Sequence, residues 1–169
     1  MRKIFILLAV MAITTNVDAK IRLGLKGGPN FANLSTDGLS SRTGWHAGAM
    51  MNIGLPLGIS LQPELLYSSK GADNSAIGYI EIPVDLQWGI KLALVRPYFS
   101  LTPYMSYAVN STAPIDNIKN WDGGIGVGAG IDVWKLQVSL KYLWGFGNIN
   151  VAGPSVQNRN LMLSFGFFL

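Results

Sequence analysis

From Lys20 onward, apolar and polar residues alternate with a period of two. The run Leu136-Gln137-Val138-Ser139-Leu140-Lys141-Tyr142 does so without a break. The last segment places Leu161, Leu163, Phe165, Phe167 and Leu169 on one side, with Asn160, Met162, Ser164, Gly166 and Phe168 on the other. Successive strand side chains point to opposite faces, whereas a helix would return its apolar face every three or four residues. Eight such segments of about ten residues are expected, near 21–32, 43–54, 58–70, 78–90, 97–109, 121–133, 136–146 and 159–169. Pro63, Pro83 and Pro103 fall inside three of them. A proline lacks the ladder donor, so a bulge or irregular pair is expected at each.

The predicted connections alternate in length. Those at 33–42, 71–77, 110–120 and 147–158 are long, and those at 55–57, 91–96 and 134–135 are shorter. Asn33–Arg42 and Gly147–Asn158 are rich in Asn, Ser, Asp and Gly. Long loops at one end and tight turns at the other imply up-and-down strands. Barrels that span Gram-negative outer membranes have this asymmetry, with long loops outside and short turns in the periplasm. The fold class expected is therefore all-β, an eight-stranded antiparallel up-and-down transmembrane barrel. An even strand number also brings both termini to the turn end.

The aromatic residues test this independently of loop length. Trp45, Tyr67, Tyr107, Trp121 and Trp144 lie on the apolar face beside long connections, while Trp88 and Phe99 lie on it beside short ones. Trp134 sits in a predicted turn. Aromatic rings favour the headgroup level of a bilayer, so two girdles suit a spanning barrel. A soluble lipocalin-like barrel or sandwich is the alternative. It would place such aromatics mid-strand and carry more charge on its outer face.

The opposite face then lines the lumen. Arg22, Lys26, Glu64, Glu81, Asp85, Asp132 and Lys141 fall on it, with Gln62, Gln87, Gln137 and Ser139. Comparable numbers of both signs favour ion pairs across the barrel over a conducting path of one sign. Eight strands leave a bore just wide enough for side chains to fill. Gly124, Gly126, Gly128 and Gly130 face inward and remove bulk from the wall, so Tyr98 and Tyr104 on the neighbouring strand can lie across the space. A phosphate-binding reading of Gly123–Gly130 lacks the following helix and lysine it needs.

Composition sets the remaining bounds. In 169 residues there are thirteen Lys and Arg against nine Asp and Glu, a net charge of +4. The longest apolar run, Ile4–Ile13, has ten residues, below the ~18 that a spanning helix needs. Arg2 and Lys3 precede that run, and Val17-Asp18-Ala19 closes it with small or β-branched residues at the −3 and −1 positions. Residues 1–19 thus read as a cleavable signal peptide, with 20–169 as one exported barrel domain. The remaining surplus of positive charge forms no basic cluster, which argues against a nucleic-acid partner. With no cysteine and a single histidine, thiolate chemistry and multi-histidine metal sites are excluded, and no cofactor or metal is expected.

Acyl transfer to lipid A remains to be weighed, because a histidine base activating a serine is the usual chemistry for it. Here the base would be His46, with Ser68, Ser69 or Ser106 and Asp122 or Asp73 at a similar level. His46 is expected to face inward, away from lipid, as one more polar lumen residue. No catalytic residue is therefore assigned.

The chain resembles the small outer-membrane barrels often called PorT-like. The similarity is carried by Gly24–Leu34, Gln62–Gly71, Tyr79–Val84, Arg96-Pro-Tyr98 with Pro103-Tyr104, Gly126–Gly130 and Asn158–Leu161. These are structural patterns covering nearly the whole exported segment. The resemblance implies an eight-stranded barrel in the outer membrane without an assigned activity. The family's namesake works with a secretion system, a role that no motif here marks. Barrels of this kind end in an alternating strand closed by an aromatic; Leu161 to Phe167 match, although the last residue is Leu169. The expected function is a non-enzymatic structural or interaction scaffold with a filled lumen and four external loops. Outer-membrane lipid and a periplasmic or membrane protein are the expected partners. A narrow channel is the alternative, and a lipid A-modifying enzyme the remoter one.

Overall fold

The structure, a computed structural model, describes residues 20–34, 42–72, 75–111, 121–146 and 158–169. Eight antiparallel strands run β1 (Ile21–Leu34), β2 (Arg42–Gly54), β3 (Ile59–Ala72), β4 (Ser75–Gly89), β5 (Val95–Ser111), β6 (Trp121–Val133), β7 (Leu136–Gly145) and β8 (Asn158–Phe168). Each pairs with its neighbour in sequence, and β1 pairs with β8, from Gly24 opposite Phe168 to Leu34 opposite Asn158. The sheet therefore closes without a free edge, the arrangement that pairs strand backbone groups where no water can. The expected signal segment lies outside the described residues.

Alternation decides which side each residue faces. Along β7, Leu136, Val138 and Leu140 are exposed while Gln137, Ser139 and Lys141 are buried. In β8, Phe165 and Phe167 point out and Met162, Ser164 and Phe168 point in. The result inverts a soluble protein: polar and charged residues dominate the buried set, and large apolar residues dominate the exposed one. A small apolar cluster of Leu66, Tyr104, Leu143 and Met162 completes the filling.

The glycines of β6 make the space that the tyrosines use. A Cβ on Gly124 would stand 2.6 Å from Cε1 of Tyr104, and one on Gly130 would stand 2.5 Å from the Tyr98 ring. Larger residues would collide with rings that already cross the bore.

One expectation about the strands needs correction. The connection expected at 71–77 shrinks, because β3 and β4 extend until Ala72 pairs with Ser75. Strict alternation of loop length thus fails there, although the three longest connections share one end. The irregular pairs expected at the prolines are present: ladder pairing lapses where Pro63 would face Met51, Pro83 would face Glu64 and Pro103 would face Val84. Register is the same on either side of each lapse, so none of them is a bulge. A bulge lies at Gly78/Tyr79, which face Asn110 and Ala108 and leave Val109 of β5 as the extra residue.

At the turn end, a single 3-10 turn spans Pro56–Gly58. Each of the three turns holds one non-glycine residue in the left-handed region: Leu57 (φ 61°), Ala93 (φ 50°) and Trp134 (φ 55°). That conformation is uncommon for such side chains and is retained only where flanking pairing dictates it. Here Leu55 N–H bonds to Ile59, Leu92 and Val95 bond reciprocally, and Trp134 N–H bonds to Leu94.

The inside/outside assignment has a direct test. Leu140→Arg, at the middle of β7 on the outer face, is expected to destabilise the barrel in a bilayer by about 2–4 kcal/mol. Urea titrations of protein refolded in lipid vesicles measure this; an unchanged midpoint would mean that β7 is turned the other way.

Candidate functional site: the lumen and its turn-end mouth

Four charges from four strands meet in the middle of the bore: Lys26 of β1, Glu64 of β3, Asp85 of β4 and Lys141 of β7. None is more than 4% exposed. Lys26 Nζ donates to Glu64 Oε1. Lys141 Nζ lies 3.1 Å from both oxygens of Glu64, and 2.8 and 2.7 Å from the two oxygens of Asp85. Thr102 Oγ1 donates to Asp85 at 2.8 Å, and Gln62 Nε2 donates to Glu64 at 2.8 Å. Two cations and two carboxylates cancel. Low-dielectric surroundings make such a cluster tolerable only when its members satisfy one another.

Amides carry the network toward the turn end. Gln62 and Gln137 exchange hydrogen bonds of 3.1 Å. Gln137 Nε2 also donates to Asp132 Oδ1 at 2.9 Å. The other oxygen of Asp132 accepts from both Arg22 Nη2 (2.8 Å) and Arg96 Nη1 (3.3 Å). Arg96 further donates to Gln87 Oε1, Ser60 Oγ and the Gly58 carbonyl. The Arg22 guanidinium lies over the Phe168 ring at 3.9 Å. Arg22, Ser60, Arg96 and Asp132 border a cavity of about 280 Å³ that also reaches Lys20, Lys91 and Trp134.

A separate knot occupies the loop end of the lumen. His46 Nδ1 lies 2.7 Å from Asn30 Oδ1, and its Nε2 lies 2.9 Å from Ser164 Oγ. Asn30 Nδ2 donates to Ser68 Oγ at 2.6 Å. The order serine–imidazole–amide is that of a nucleophilic relay, yet His46, Asn30 and Ser164 are at most 1% exposed. A substrate carbonyl cannot approach Ser164 in that packing. Of the partners expected for His46, Ser68 reaches it through Asn30. Ser106 instead donates to the Asp122 carbonyl at 3.4 Å, Ser69 sits outward beside Trp45, and Asp73 lies outside the described residues.

All seven lumen charges expected from sequence face inward, and six of them join the two clusters just described. Glu81 is buried to 1% exposure on the same face of β4. Lys141 is held by Glu64 and Asp85. Arg96 was assigned to a turn, because β5 was expected to begin at 97. Its phase with Tyr98, Ser100 and Thr102 was the available signal. Asn30 and Ser164 likewise share a phase with Lys26 and Met162.

The aromatic residues point outward. Trp45 packs on Tyr67 at 5.6 Å between centroids and Tyr107 on Trp121 at 5.1 Å. Tyr142, not expected in this role, packs on Trp144 at 4.8 Å. At the other end Trp88 and Phe99 face each other across β4 and β5, 73% and 75% exposed. Among the described residues, no group of three or more His, Asp or Glu side chains is placed to hold a metal ion.

Residues 14–151 match the family described as "Outer membrane protein beta-barrel domain", a span that stops before β8. Among solved structures, Neisserial surface protein A (NspA) is 13% identical, with a TM-score of 0.64 over 88% of this chain and 97% of that one. Ail, the attachment invasion locus protein of Yersinia pestis, is 11% identical, with a TM-score of 0.52 over 89% and 99%. At such identities the likeness is one of fold. No curated protein sequence matches the chain.

Removing one member of the central cluster exposes its worth. Lys141→Ala leaves Glu64 and Asp85 sharing Lys26, an expected loss of about 3–5 kcal/mol, less where lumen water fills the gap. Adding Asp85→Asn should restore part of it, as a double-mutant cycle of urea midpoints would show; additive losses would mean that the pair is not coupled.

Proposed function

The chain belongs to the outer membrane protein beta-barrel domain family, and from that membership we propose that it is a non-enzymatic interaction scaffold. The family places it in the outer membrane. In this reading residues 1–19 are removed on export, the long loops face the exterior, and the turns and both termini face the periplasm. Trp45, Tyr67, Tyr107, Trp121 and Trp144 form the outer girdle at the headgroup level, with Trp88 and Phe99 in the inner one. The PorT-like sequence patterns favour a periplasmic or membrane protein partner connected with secretion.

One observation carries the scaffold reading: the lumen is filled by mutually bonded side chains. Lys26, Glu64, Asp85 and Lys141 are tied across the bore, and a conducting path would have to separate them. With solute passage and chemistry both disfavoured, the surfaces left for function are the two ends. The channel alternative rests on the polarity of the lumen alone.

The expected behaviour is an outer-membrane band whose gel mobility differs between unboiled and boiled samples, together with silence in planar-bilayer recordings. A soluble periplasmic protein without a mobility shift would overturn the barrel reading. Steady unitary currents would favour the channel. Crosslinking in intact cells is expected to capture a protein through the turn end.

The relay-like knot gives a separate check on the non-enzymatic reading. His46→Ala deprives buried Asn30 and Ser164 of a partner and should cost about 1–3 kcal/mol of stability. Lipid A examined by mass spectrometry should be unchanged; a missing or added acyl chain that tracks His46 would make the barrel an enzyme.

A further inference from the structure

The charge along the bore is distributed unevenly. The central cluster is neutral, whereas the turn-end mouth sets Arg22, Arg96, Lys20 and Lys91 against one carboxylate, Asp132. One oxygen of that carboxylate serves both guanidiniums, and the other is occupied by Gln137. Arg22 donates through Nη2 to Asp132 and Asn52, and its side chain remains 31% exposed at the cavity. Phe168 supports its guanidinium plane and Asn52 fixes one edge. Such a guanidinium is preorganised for a second carboxylate, which would meet two arginines and two lysines beside the apolar wall of Trp134 and Leu94.

We propose that this mouth is a docking site for an acidic segment of a periplasmic polypeptide, one carboxylate of which enters the cavity and joins Asp132 between the arginines. The proposal rests on the orientation and scaffold role given above and names the class of partner. Charge complementarity argues for an acidic ligand. The position of the cavity argues for a polypeptide over a lipid, because its polar lining comes from the inward face of the strands. Lipid would instead meet the outward residues of the same strand ends, Ile21, Leu23, Trp88 and Phe99, all exposed. A volume of about 280 Å³ has room for a side chain with its peptide unit.

The test uses the complete barrel in nanodiscs of zwitterionic lipid, with fluorescein-labelled hexaglutamate as probe and hexalysine as its control. Anisotropy should rise with hexaglutamate only and fall back as ionic strength increases. Lys20→Gln with Lys91→Gln, both exposed and outside the ladder, should weaken binding at least tenfold, and Arg22→Gln should do the same. Arg159→Gln, at the opposite end, should leave it unchanged. Absence of binding, or equal weakening by Arg159→Gln, would overturn the proposal. Full displacement by millimolar inorganic phosphate would make the mouth a plain anion site, and loss of binding when phosphatidylglycerol enters the disc would make it a lipid site; either result overturns the polypeptide assignment. Each variant is checked for its heat-dependent gel mobility, so a failed barrel is told apart from a failed mouth.

Discussion

An eight-stranded barrel has a bore too narrow for bulk water and too wide to leave empty, so any charge placed in it must be neutralised by its neighbours. Lys26, Glu64, Asp85 and Lys141 meet that constraint by coming from β1, β3, β4 and β7, so that each ion pair staples strands distant in sequence. Gln62 and Thr102 donate to the same carboxylate oxygens as the lysines, Glu64 Oε1 and Asp85 Oδ1. The closed wall has a complementary task, since its backbone pairing lets the outer face be apolar throughout. Neither stands alone: the bonded interior fixes which residues face in, and the register of eight ladders holds those residues within reach.

Most of the fold was legible because a period of two is a local property. Leu136–Tyr142 states its facing residue by residue, and seven lumen charges followed from phase alone. Which charges pair was not legible, because barrel stagger brings Lys141 level with residues far away in sequence, and stagger is a property of closure. The same limit hid the His46–Asn30–Ser164 knot, whose members lie on β1, β2 and β8. Arg96 was lost for a different reason. The expected strand begins at 97, one residue after it, and only the longer β5 puts it in phase with Tyr98.

The prolines show a local rule acting as stated. A proline removes a donor, and an irregular pair or a bulge is the remedy. At Pro63, Pro83 and Pro103 the pairing lapses on one side while register is kept across the gap, so the count of residues does not change. The bulge appears near the loop end, where Val109 of β5 is the extra residue opposite Gly78 and Tyr79. Its place at the tip of β5 leaves Tyr98, Thr102 and Tyr104 in their inward phase.

The two ends of the lumen are closed by different chemistry, and this bears on which end acts. At the loop end, His46, Asn30, Ser68 and Ser164 hydrogen-bond to one another. At the turn end, two guanidiniums share a single carboxylate oxygen, and the surrounding cations are open to water. Ala93 and Trp134, both in the left-handed region, line that opening. A barrel built only to fill membrane would gain nothing from a partly exposed Arg22 that shares its carboxylate with a buried Arg96; a barrel that docks an acidic partner would.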